Sequence, residues 1–129
     1  LTVQDVLWTQ SQTSSKPVEF RHTVLEEAVY HQYGYGGSHD VLAQALEFVK
    51  AMIRLKPFDE GNEIVAFLGF GAFLLLNGYS LDLAEQDVAG WLKSPYVGPD
   101  IVKPSTHFHG GVREAVAATQ AVYAKALGL

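Results

Sequence analysis

No cysteine occurs among the 129 residues. That excludes a disulfide frame and any thiolate metal site, and it fits a reducing compartment. Basic side chains are scarce, nine Lys and Arg against fourteen Asp and Glu, for a formal net charge of −5. Neutralising phosphates takes clustered Lys and Arg, and none are clustered here, so no nucleic-acid partner is expected. A helix needs about 20 apolar residues to span a bilayer, whereas the longest apolar run, Ile64 to Leu76, has thirteen. The chain opens at Leu1 with no signal-like stretch, so the expected location is the cytoplasm, with no membrane partner. Strand-like alternation and internal repeats are absent too. The expectation is an all-α protein, one domain over residues 1–129 with about six helices.

What is present is organised around that apolar run. A helix with no polar side chain from Ile64 to Leu76 must be buried on all sides. Gly69 and Gly71 each cost it about 1 kcal/mol of propensity, which makes sense if neighbouring helices approach its backbone closely. Asn77-Gly78 supplies a residue tolerant of positive φ to stop it. Ahead of it, Thr2-x-x-Asp5 reads as a capping box that opens a short helix with Val3, Val6 and Leu7 inward. Gln10 to Lys16 reads as a loop. A second helix is expected from Val18 to Tyr33, with Val24, Leu25, Ala28 and Val29 on one face. A third starts at Asp40 or Ser38, carries Val41, Leu42, Ala45, Phe48, Val49, Met52 and Ile53, and ends near Leu55 because of Pro57. After the central helix, Asp82-x-x-Glu85 reads as another capping box, with Ala84, Val88, Trp91 and Leu92 on one stripe. The last helix begins between Ser105 and Gly111, with Val112, Ala115, Val116, Thr119, Val122, Tyr123 and Ala126 inward.

The candidate chemistry lies in Phe58-Asp59-Glu60-Gly61-Asn62, where a charged loop opens into the buried helix. A helix N-terminus offers unpaired N–H groups to phosphate. Gly61 allows close backbone approach, and Asn62 either caps the helix or meets a phosphate oxygen. Glu60, and more weakly Asp59, is of the type that holds Mg²⁺ beside phosphates. The same residues also make an ordinary capped turn between helices.

Pro57 to Asn62, Ala66, and Phe73-Leu74 with Asn77-Gly78-Tyr79 together resemble the core signature of the Fic fold family. That signature runs His-x-Phe-x-acid-Gly/Ala-Asn-Lys/Arg-Arg, with Phe-Leu-x-x-Asn-Gly at the end of the following helix. The opening Leu1 to Leu7 and Tyr35-Gly36-Gly37 look like the Doc (death-on-curing) toxin branch, and the likeness extends over roughly residues 1–92. The resemblance implies transfer of AMP or phosphate from ATP, with Mg²⁺, onto a protein hydroxyl. It implies a motif base, an acidic metal ligand at Glu60, phosphate contacts at Gly61 and Asn62, and Phe58 as a packing residue. It also implies an antitoxin helix as partner, in a groove near the site.

This sequence departs from the signature at three positions. Lys56 stands where the base His belongs, and Glu63 and Ile64 replace the two basic residues. A free lysine holds its proton until about pH 10, and carboxylates beside it favour the ammonium further; as a point charge it can still contact phosphate. Glu63 suits the helix dipole but repels a triphosphate, by about 3 kcal/mol for like charges about 5 Å apart at an effective dielectric near 20. The expectation is a degenerate Doc/Fic-like protein without the transferase reaction, acting through binding to an antitoxin-like partner or to itself. The alternative is an active Mg²⁺-dependent transferase with another base, chosen among His31, His39, His107 and His109. His107 and His109 are weaker candidate metal ligands, since no third ligand stands at a standard spacing, and a polar helix-opening loop is the simpler reading. Tyr30, Tyr33 and Tyr35 are candidates for a partner groove or for cover of the core edge. Arg54 is expected to pair with Asp59 or Glu60, and Trp8 and Trp91 to pack.

Overall fold

The apolar run does form the central helix. In the computed structural model, which describes residues 1–33, 40–105 and 107–129, helix α4 spans Asn62–Leu76, and every residue from Val65 to Leu74 is buried. Five further helices surround it: α1 (Val3–Thr13), α2 (His22–Tyr30), α3 (Val41–Leu55), α5 (Val88–Lys93) and α6 (Val112–Tyr123). Helices α3 and α6 flank α4 most extensively, and α1 also lies against it. The fold is all-α, and among the described residues the named strands form one small antiparallel pair, β1 (Tyr79–Leu81) with β2 (Val102–Pro104), in which Ser80 faces Lys103.

The two glycines of α4 explain how its neighbours come so close. A Cβ on Gly69 would sit 2.7 Å from the Phe48 ring of α3, and one on Gly71 would sit 2.4 Å from Thr119 Cγ2 of α6. Each glycine therefore yields its side-chain volume to one flanking helix. At the far end Gly78 takes φ +85°, a left-handed stop that an L side chain rarely adopts.

Local signals account for most of the other boundaries. Asp5 N–H donates to Thr2 Oγ1 at 3.1 Å and Thr2 N–H to Asp5 Oδ2 at 2.8 Å, closing the capping box of α1. Asp40 caps α3, accepting from Leu42 N–H at 2.9 Å. The alternative start at Ser38 lies outside the described residues. At α6, Gly111 is the N-cap, and its N–H donates to the Glu114 carboxylate at 3.1 Å.

Four expectations change. Helix α1 runs on to Thr13, so the predicted loop from Gln10 begins one turn late. Its polar look is misleading, since Thr9 and Gln10 are buried and Thr9 Oγ1 donates to Asp5 O within the helix. Helix α2 begins at His22 instead of Val18, because residues 19–21 are held extended against 57–59. The stretch after β1 is not a capped helix at Asp82. Asp82 N–H is bonded to Ile101 O at 2.6 Å, continuing the strand pair, and helix begins only as a 3-10 turn at Glu85–Asp87 before α5. On α6, Ala115, Val116, Thr119 and Tyr123 are buried as expected, but Val122 is 60% exposed and Ala126 is exposed; Leu127 is buried instead.

Candidate functional site: the loop ahead of helix α4

Helix α3 ends in an unusual residue. Lys56 takes φ 48° and ψ 63°, and it is the one non-glycine residue with positive φ among those described. Its N–H donates to Met52 O at 3.1 Å, and its carbonyl accepts from the Arg21 guanidinium. For a side chain with a Cβ this conformation costs about 1–2 kcal/mol. Pro57 disfavours continued helix at the residue before it, so α3 stops at Leu55 and the turn out of it falls on Lys56.

The loop is then fastened to residues 19–21. Arg21 N–H donates to Pro57 O at 2.8 Å and Asp59 N–H to Glu19 O at 3.0 Å, pairing Phe20 with Phe58 as in an antiparallel sheet. In this geometry the N–H and C=O of Phe20 point away from the loop, and no described residue bonds them. Phe58 is fully buried; the Phe20 ring lies tilted at 6.0 Å from it and is 40% exposed.

Asn62 does not take the capping role the sequence offers it. It is the first residue of α4, after Gly61 as N-cap, and it is buried. Its Oδ1 accepts from Phe58 N–H at 2.9 Å, and its Nδ2 donates to Phe58 O at 2.8 Å. The amide thus satisfies both polar backbone groups of a buried residue, one of the chief requirements for a loop to lie inside a protein. Gly61 sits at φ +79°, and a Cβ built there would meet nothing within 4 Å; glycine is needed for the turn, not for space.

No side chain caps the first amides of α4, so its N-terminus keeps the partial positive charge that attracts anions. The side chains around it carry mostly the opposite sign. Asp59, Glu60 and Glu63 are all exposed, while Ile64 is half-buried and packs on the core. Exposed Lys56 adds one cation. Arg21, the other nearby cation, reaches Asp59 at 3.8 Å as well as the Lys56 carbonyl. An exposed pair of this kind adds little stability, but it takes the place predicted for Arg54.

The remaining candidates fall elsewhere in the chain. His31 is half-buried in a short 3-10 turn after α2, and His107 and His109 are exposed in the segment before α6. His39 and Tyr35-Gly36-Gly37 lie outside the described residues. Among the described residues, no three His, Asp or Glu side chains come together to hold a metal ion. Glu60 therefore offers a single exposed carboxylate, which suits Mg²⁺ only if a ligand brings the other oxygens. With Asp59 facing Arg21 and the Asn62 amide closed on Phe58, these residues fit a Mg²⁺-triphosphate poorly. Tyr30 and Tyr33 stand 58% and 62% exposed with rings 6.1 Å apart, so they do not cover the core edge. Trp91 packs against Phe67 and Phe70, and half-buried Trp8 packs on the core with the Arg113 guanidinium 5.1 Å over its ring.

No family model, curated protein or solved structure matches the chain.

Proposed function

We propose that this chain is a degenerate Doc/Fic-like protein that lacks the AMP- or phosphate-transfer reaction and acts by binding a protein partner. The observation that carries the first half is the state of Asn62. The residue aligned with the signature's phosphate turn is occupied by Phe58, and an acidic Glu63 follows it. At the base position the signature's imidazole is replaced by the exposed side chain of Lys56. Support for the second half comes from Phe20, whose half-exposed ring and unbonded N–H and C=O form a short edge on which an extended segment can add.

Incubation with labelled ATP and Mg²⁺ is expected to give no transfer to protein hydroxyls, and calorimetry with nucleotides no heat of binding. Lys56→His alone is expected to restore neither. Transfer by the unaltered chain, or rescue by that single substitution, would overturn the reading. For the binding half, sedimentation tests self-association. Comparing captured partners between the native chain and Phe20→Lys tests the edge, since loss of a partner in the variant is the expected outcome.

A further inference from the structure

A sizeable hollow lies away from the α4 loop, between the stretch after β1, helix α5 and the segment leading to β2. It measures about 700 Å³, within the usual size of small-molecule sites, about 300–1,000 Å³. Its floor is apolar and buried, formed by Leu83, Trp91 and Ile101, while Asp82, Asp87 and Asp100 stand exposed around the rim with Tyr96. No lysine or arginine lines it.

The walls are tied in place. Trp91 Nε1–H donates to Tyr96 O at 2.8 Å, and Tyr96 Oη–H donates to Asp100 Oδ2 at 2.8 Å. From below, Tyr123 Oη accepts from Leu83 N–H at 3.1 Å and donates to Leu83 O at 2.7 Å. The hydrogen bond to Asp100, with some burial and the nearby charges of Asp100 and Asp87, raises the Tyr96 phenol above its ordinary pKa, so the rim carries carboxylates and a neutral phenol at physiological pH.

We propose that this hollow binds an organic ammonium ion with an apolar body. The floor takes the hydrocarbon part, the exposed Tyr96 phenol at the rim offers its ring to a cation, and the rim carboxylates supply the charge. A bare metal ion fits less well, because no three of the described acidic or histidine side chains converge on one point. Carboxylates spread around a rim match a bulky, diffuse cation, and they repel an acid of the same shape. The proposal does not depend on the reading of the α4 loop.

The test is a titration of the whole chain with phenethylamine, phenylacetate and magnesium chloride in turn. It is followed by the indole N–H resonances, with that of Trp91 assigned by comparison with Trp8→Phe. Phenethylamine is expected to shift the Trp91 signal saturably and leave Trp8 in place. Its binding should be about tenfold or more tighter than that of phenylacetate, the scale of one charge contact near a surface, and weaker in high salt. Asp87→Asn combined with Asp100→Asn, checked for unchanged circular dichroism, is expected to remove that preference. Absence of saturation, equal binding of the acid, a response to magnesium alone, or full retention of amine binding in the double variant would each overturn the proposal.

Discussion

The body of helix α4 and the loop that feeds it are neighbours built on different physics. In the body, position is set by volume: Gly69 and Gly71 are glycines because Phe48 and Thr119 occupy the space where a Cβ would go. In the loop, volume decides little. Gly61 has open space around it and is a glycine because of its φ, while Asn62 is an asparagine because Phe58 has two backbone groups to satisfy. The helix body is thus specified by shape, and the turn that feeds it by backbone conformation and hydrogen bonding.

The sharpest way to break this contrast is Asn62→Ala. It leaves the Phe58 N–H and C=O buried without partners, at about 1–3 kcal/mol each. Chemical denaturation is expected to show a loss of about 2–5 kcal/mol. A loss below about 1 kcal/mol would mean that the amide is dispensable to the loop. Next comes Gly71→Ala, expected to destabilise by about 1–3 kcal/mol through overpacking, even though alanine favours helix by about 1 kcal/mol. Thr119→Ala in the same chain removes the two closest atoms and is expected to recover most of that loss. A double-mutant cycle with no coupling would show that the contact at Gly71 is not what decides its residue. The smallest effect is expected at Gly61. Gly61→Ala should cost about 1 kcal/mol, from the left-handed backbone alone. Gly61→Asn should cost less, because asparagine tolerates that region, and equal losses for the two would argue for a steric role after all.

The same contrast governs how much could be read from the sequence. Volume leaves a pattern: the run Ile64 to Leu76, the paired glycines inside it and the stripe from Ala45 to Met52 all announced buried helix faces, and the structure buries Val65 to Leu74 and most of the stripe, leaving only Leu76 of the run exposed. Hydrogen-bond economy leaves almost none. The partner of Asn62 is a backbone four residues away, and nothing in Phe58 as a letter says that it lacks one. The tie from Arg21 to the Lys56 carbonyl crosses 35 residues, and no local signal carries it. Strands β1 and β2 have three residues each, too few for a period of two to stand out from chance. Where Asp82-x-x-Glu85 misled, a true capping pattern lost to a sheet-like bond between Asp82 and Ile101, a long-range contact overriding a local preference. Lys56 is the instructive middle case. Pro57 rightly predicted that α3 stops near Leu55, but the left-handed turn that follows has no glycine to announce it.

The clasp between Tyr123 and Leu83 joins positions 40 residues apart, and Thr119 on the same helix fills the notch left by Gly71. Both are supplied by the last helix described. During synthesis, therefore, the helical core emerging from the ribosome stays open along one flank, with the Leu83 amide still hydrated, until α6 arrives. Closure of this flank should therefore wait for α6, which supplies both the Tyr123 clasp and the Thr119 contact.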